Sequence, residues 1–244
     1  MRAITKWLGQ ATASVLFPAQ CAGCGRAVAN PATLCGRCWP RLRFIERPYC
    51  AVMGTPFSHD LGDNFLSAEA IADPPPFRRA RAAVMHDGVP QRMVVGLKYH
   101  DQTNLAPWMA RWMLRTGSEL VADCDVIIPV PLHRFRFWSR RFNQAAELAR
   151  ALAHLSQKPF EPEALRRVKR ARQQVGLPAA ERQRNVSGAF RVPQEYEIKV
   201  RGRKILLIDD VYTTGATVKA ATRALLRADA AAVDVLTFSR VLNE

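Results

Sequence analysis

Ile205-Leu206-Leu207-Ile208-Asp209-Asp210-Val211-Tyr212-Thr213-Thr214-Gly215-Ala216-Thr217-Val218 is the stretch that decides the fold. An apolar run meets two acids, then a small polar turn with one glycine, then a segment whose Val218, Ala221 and Leu225 share one helical face. The continuous apolar run suits a strand buried on both faces, and the spacing after the glycine suits a helix. In an open α/β sheet, ligands sit beyond the carboxyl ends of the strands, which is where this turn falls. Backbone N–H groups from Thr213 to Thr217, at a helix N-terminus and beside threonine hydroxyls, suit a phosphate. Asp209 and Asp210 would repel a phosphate and need another partner. Vicinal ribose hydroxyls, as O–H donors, fit a pair of carboxylates. Glycine-rich nucleotide fingerprints are absent, so Walker and Rossmann readings have no support.

Working outward, Val126 to Val130 is a second buried-strand pattern, and Asn143 caps a helix whose Leu148, Leu152 and Leu155 share a face. Val84-Met85 predicts a short strand and Leu105 to Leu120 a buried helix containing Trp108, Met109, Trp112 and Met113. A weaker strand is expected around Leu165 to Val168, a helix from Ala216 to about Ala228, and a strand from Val233 to Phe238. Strands alternating with helices at this spacing imply a parallel α/β sheet covered on both sides. Asp73-Pro74-Pro75-Pro76 marks a stiff linker, and no internal repeat is legible.

The four cysteines Cys21, Cys24, Cys35 and Cys38 form two Cys-x-x-Cys knuckles separated by ten residues. Two such knuckles complete a tetrahedral sulfur site, with Zn–S distances of about 2.3 Å. Two disulfides are the alternative. Residues 1–20 carry no continuous apolar export core, and Ile4, Trp7, Leu8, Ala11 and Val15 instead fit a short amphipathic helix. A reducing, cytoplasmic compartment and one closed, structural zinc are therefore expected. Arg26, Arg37, Arg41 and Arg43 are placed to offset the thiolates. Cys50 has Met53 where a further knuckle would want a cysteine and has no metal role; Cys124 reads as a small buried residue.

The 244 residues are 48% hydrophobic and 23% charged, the balance of a folded globule, with no apolar run long enough to span a membrane. The formal charge of +15 favours an anionic partner. Arg134-Phe135-Arg136-Phe137-Trp138-Ser139-Arg140-Arg141 interleaves cations with aromatics, a combination used for backbone attraction plus base stacking. A pyrophosphate loop with aromatics packed inward reads equally well. Arg166, Arg167, Lys169, Arg170 and Arg172 read either as a nucleic-acid contact or as a solvated face.

The stretch from Asp209 to Thr217 resembles the 5-phosphoribosyl 1-pyrophosphate (PRPP) motif of type I phosphoribosyltransferases. Cys21 to Cys38, Leu97-Lys98-Tyr99, Ile128-Pro129-Val130-Pro131-Leu132-His133-Arg134, Phe142-Asn143-Gln144 and that motif follow the order of the competence protein F (ComF) family. The resemblance spans nearly the whole chain. It departs at Arg140-Arg141-Phe142-Asn143-Gln144, where the family has Arg-Gly-Phe-Asn-Gln, and at Met53, which replaces a knuckle cysteine.

The resemblance implies an N-terminal helix and zinc-ribbon module over 1–56, then a phosphoribosyltransferase-like domain over 57–244, with a hood at about 77–122 and a core at about 123–244. It implies that Asp209 and Asp210 bind the ribose, and that Val211, Tyr212, Thr213, Thr214, Gly215, Ala216 and Thr217 complete the PRPP site. Pro131, Leu132, His133 and Arg134 would form the pyrophosphate loop, and Gln173, Gln174 and Arg182 part of a mobile loop closing over PRPP. Lys98 reads either as a site residue or as a surface lysine. Mg2+ would arrive with PRPP. Arg134, Arg136, Arg140 and Arg141 are candidate contacts for single-stranded DNA. The expected role is PRPP and single-stranded DNA binding in DNA uptake, natural transformation or DNA processing, alongside partners in uptake. The alternative is an amidophosphoribosyltransferase-like enzyme acting on a small nitrogenous acceptor. A PRPP-sensing regulator of duplex DNA is weaker, since no helix-turn-helix pattern is visible.

Overall fold

The computed structural model describes residues 19–30, 33–60, 62, 64–99, 102–132, 143–168 and 188–242. A short helix α1 (Ala68–Ala72) leads to strand β1 (Ala80–Met85), helix α2 (Gly88–Tyr99), α3 (Ala106–Thr116) and α4 (Ser118–Asp123). Then come β2 (Val126–Pro129), α5 (Gln144–Ser156), the two-residue strands β3 (Arg166–Arg167) and β4 (Phe190–Arg191), and α6 (Glu197–Val200). The chain ends in β5 (Lys204–Tyr212), α7 (Ala216–Leu226) and β6 (Ala232–Arg240). Strands β1, β6, β5 and β2 form one parallel sheet in that order.

The apolar runs put alternate residues on opposite faces. Ile205 and Leu207 join Val233, Val235 and the α7 residues Val218, Ala221 and Leu225 on one side. Leu206, Ile208, Leu236 and Phe238 meet α3 and α5 through Met109, Met113, Leu148 and Leu152 on the other. Both faces are thus covered, as a parallel sheet requires. Strand β1 pairs with β6, so the sheet is continuous across the hood and core segments expected from the sequence.

Some expectations need correction. The helix expected through Leu120 breaks at Gly117, where a Cβ would lie 2.7 Å from Leu236 Cδ2 on the sheet. The segment near Leu165–Val168 is not in the main sheet. Its two arginines offer no apolar run for a slot buried on both faces, and they pair antiparallel with β4. Leu155 is exposed, while Asn143 caps α5 as expected, its side chain accepting from Ala145 N–H at 3.1 Å. Among the described residues no helix is long and apolar enough to cross a membrane.

Candidate ligand site and metal centre

Strand β5 continues through both acids to Tyr212, so Asp209 and Asp210 stand at the carboxyl end of a central strand. Gly215, at φ +72°, turns the chain into α7, and only a residue without a Cβ fits there: a Cβ would lie 2.2 Å from Tyr212 Oη. The N–H groups at the start of α7 therefore open beside the carboxylates, the geometry suited to an anion next to a polyol.

Burial and the Asp210 carboxylate push Asp209 up to about 7, against the pull of the Asp210 N–H, Lys98 and Arg167. Lys98, from the last turn of α2, reaches Asp210 Oδ2 at 2.9 Å. It therefore faces the acid pair, one of the two positions left open by sequence. Pro131 and Leu132 are half-buried and follow Val130, whose N–H donates to Ile208 O at 2.8 Å, so this segment leaves the sheet beside the acids. Asn143 Nδ2 donates to Val130 O at 3.1 Å and ties the far end of that loop to the same strand. His133, Arg134, Arg136, Arg140 and Arg141, and likewise Gln173, Gln174 and Arg182, lie outside the described residues.

Sequence reasoning missed His86 and Ser239, and read Arg167 only as a nucleic-acid contact or part of a solvated face. His86 directly follows β1, and its Nδ1 lies 2.8 Å from the buried Ser239 Oγ, which donates weakly to Asp210 O at 3.5 Å. Either ring tautomer can make the Ser239 contact, since a hydroxyl both donates and accepts. Burial first, then Lys98, lowers the His86 pKa, with Asp210 and Asp87 opposing, so the imidazole is neutral at pH 7. The signal was available: a histidine directly beyond a strand's carboxyl end. By itself it marks no site, because Ser239, Lys98 and Asp210, which give the histidine its setting, come from β6, α2 and β5. Arg166 pairs with Glu195 at 3.1 Å, whereas Arg167, its guanidinium 5.4 Å from the Phe190 ring centroid, is near enough for its charge to favour the Asp209 carboxylate.

The four knuckle cysteines have their sulfur atoms within 4.8 Å of one another. Cys21 Sγ accepts from Gly23 N–H at 3.4 Å and Cys35 N–H at 3.3 Å. Backbone N–H groups of Arg37 and Cys38 pull Cys35 down to about 6, while burial and the neighbouring sulfurs push Cys38 up to about 12. Four thiolates this close need a cation, and an all-sulfur, four-ligand set fits structural zinc. Gly23 lets the knuckle approach α2, since a Cβ there would lie 3.0 Å from both Cys38 Sγ and Val89 Cγ1. Trp39 and Phe44 close edge-on around Trp112 of α3, seating the ribbon on the larger domain. Arg43 pairs with Asp87 instead of the sulfurs. Cys124 is buried, and that burial pushes its thiol up to about 11.

Two family models match the chain: a double zinc ribbon domain over residues 12–70 and a phosphoribosyl transferase domain over 145–241. The DNA utilization protein YhgH of Escherichia coli K12 is 30% identical over 230 residues, covering 91% of this chain and 90% of the relative. Competence protein F of Haemophilus influenzae is 37% identical over 101 residues, covering 41% of this chain and 44% of its own length. The chain belongs to the ComF family. A further ComF-family relative, competence protein ComFC of Bacillus subtilis, is 28% identical over 216 residues, covering 85% of this chain and 84% of that one. Among solved structures, an orotate phosphoribosyltransferase from Aeropyrum pernix overlays 66% of this chain and 80% of its own at a TM-score of 0.33 and 16% identity, too loosely to bear on the site. The ComF assignment and the sheet agree on a phosphoribosyltransferase fold preceded by a four-cysteine ribbon.

Proposed function

We propose that this protein binds PRPP with Mg2+ and single-stranded DNA, and acts in the cytoplasm in DNA uptake or processing. The observation that carries the PRPP reading is the Asp209-Asp210 pair beside the Gly215 turn, with Lys98 holding Asp210. The carboxylates would accept from the ribose hydroxyls and the α7 N-terminus would hold the 5-phosphate. Mg2+, arriving with PRPP, would offset the charge of pyrophosphate. The zinc is structural and numbers one per chain. The DNA reading draws on the names of the relatives and on the charge of +15. Calorimetry tests the PRPP site: Asp209→Asn with Asp210→Asn abolishes binding while the melting curve stays cooperative, and unchanged affinity would sink the assignment. Single-strand affinity should fall steeply with added salt, and a flat response refutes a phosphate-contact mode.

One observation favours a second reading, phosphoribosyl transfer from PRPP to a small nitrogenous acceptor. His86, its pKa lowered by burial and by the Lys98 charge, stands against Ser239 and within electrostatic reach of Asp210, so its imidazole is suited to take up a proton. The acceptor nitrogen would bond to C1 as the C1–O bond breaks, the electron pair would leave with pyrophosphate, and the N–H proton would pass to the His86 imidazole. Pyrophosphate release on adding PRPP, Mg2+ and a panel of amines and bases separates turnover from binding alone.

A further inference from the structure

A double zinc ribbon calls for a second metal site, and among the described residues only Cys21, Cys24, Cys35 and Cys38 come together as one. Yet the backbone of the second ribbon is present. Cys50 follows Cys21 by 29 residues, and Met53 and Gly54 stand at the same spacing from Cys24 and Gly25. Cys21 N–H donates to Arg26 O at 2.7 Å, and Cys50 N–H to Thr55 O at 2.8 Å. Gly25 N–H donates to Cys21 O at 2.9 Å, and Gly54 N–H to Cys50 O at 2.8 Å, with φ +73° and +64° at the two glycines. The antiparallel bridge Gln20–Ala27 has its counterpart in Tyr49–Pro56.

The second half of the repeat follows too. Ala22 N–H donates to Thr33 O, and Ala51 N–H to Phe65 O. Cys35 N–H donates to Cys21 Sγ at 3.3 Å, and Ser67 N–H to Cys50 Sγ at 3.2 Å. The four ligand positions Cys21, Cys24, Cys35 and Cys38 are thus answered by Cys50, Met53, Ser67 and Ala70. Met53 and Cys50 are fully buried and Ala70 nearly so. This is an internal repeat that the sequence hides, because three of its four diagnostic residues have changed. It also carries the ribbon region on through residue 73.

The altered ribbon is fastened beneath the PRPP motif. Its three successive turn carbonyls Ala51, Val52 and Met53 accept from Arg81 Nη1 at 3.0 Å, Ala80 N–H at 2.7 Å and Arg240 Nη1 at 2.5 Å. Gly54 permits this contact, since a Cβ there would lie 2.4 Å from Ala80 O. Arg240 lies over the Tyr212 ring at 4.3 Å, and that ring underlies Gly215. From α1, Glu69 reaches Arg240 at 3.6 Å, and Asp73, at its C-cap, pairs with the buried Lys219 of α7 at 2.7 Å.

We propose that residues 48–73 are a second ribbon whose metal site has been replaced by an apolar plug, and which serves as a zinc-independent anchor for the phosphate loop. Asp73, Lys219 and Arg240 are positioning residues in this anchor. Zinc then governs the first ribbon alone, and its loss leaves the ligand loop in place. The inference takes the phosphate role of the loop from the proposed function, but its structural readouts do not depend on PRPP.

Three measurements on the full chain test it. Elemental analysis of Met53→Cys/Ser67→Cys/Ala70→Cys should give two zinc ions per chain where the wild type gives one; a folded triple variant still holding one refutes the plug. Stripping zinc from the wild type with a chelator should raise amide exchange over 20–38 by at least about tenfold, yet leave 49–57 and 213–219 within about twofold of the holoprotein. Faster exchange at 213–219 on stripping overturns the anchor, and this arm decides the matter if the triple variant fails to fold. Asp73→Asn should speed exchange at 216–219 at unchanged zinc content, with Asp73→Glu restoring it. Failure of the wild type to bind PRPP would remove the ligand role alone, leaving the exchange results to judge the anchor.

Discussion

Gly215→Ala tests how tightly the ligand loop is built. An L-residue at the observed φ of +72° costs about 1–2 kcal/mol. The new Cβ would also stand 2.2 Å from Tyr212 Oη and 2.6 Å from Cζ. The ring has little room to retreat, being 2% exposed, with the Arg240 guanidinium 4.3 Å from its centroid and Phe77 edge-on at 6.5 Å. Crowding of this kind adds about 1–3 kcal/mol. The total of about 2–5 kcal/mol, if it displaces the loop rather than the whole fold, weakens PRPP binding between about 30-fold and a few thousandfold. Calorimetry with Mg2+ and PRPP, read beside a thermal melt, separates the two destinations. Adding Tyr212→Leu to Gly215→Ala removes the crowding but not the backbone strain, so it should recover only part of the loss. A Gly215→Ala protein with unmoved affinity and unmoved melting temperature would refute the argument.

Other outcomes follow from the same geometry. Asp234, 2% exposed, accepts from Arg78 at 2.6 Å and Arg79 at 2.7 Å, so Asp234→Ala leaves two half-buried cations short of a partner. Because both arginines keep contact with water and with Asp123, the loss should sit near about 3 kcal/mol, a fall of about 6–12 °C in a melt. PRPP affinity should drop as pH falls through about 7, where Asp209 takes up its proton, and Asp209→Asn should flatten that limb. If the ionised form alone binds, affinity at pH 6 is about tenfold below that at pH 8. Stability moves the other way: the folded value lies above the ordinary 3.8, so the native state holds the extra proton and loses stability as pH rises toward about 7. Cys21→Ser should release the zinc and unfold the first ribbon, as metal analysis and amide exchange over 20–38 would report.

What could be read from the sequence, and what could not, divides by range of interaction. The strand-to-helix unit at Ile205–Val218 was legible because its signals are local: a run buried on both faces, two acids, a glycine where the backbone must be left-handed. The first zinc knuckles were legible because thiolate spacing is itself the chemistry. His86, by contrast, acquires its neutral, site-facing character from Ser239, Lys98 and Asp210, which come from β6, α2 and β5 and meet only when the parallel sheet forms. Arg240 and Lys219 carry no local sequence signal, yet both are buried against a carbonyl and carboxylates of the altered ribbon. The charge of +15 therefore cannot be treated as one exposed field. Arg78, Arg79, Lys219 and Arg240 are tied into internal networks, and Lys98 is committed to Asp210. The proposed single-strand contact would draw on cations outside such networks, so its salt slope should count those alone rather than the whole composition.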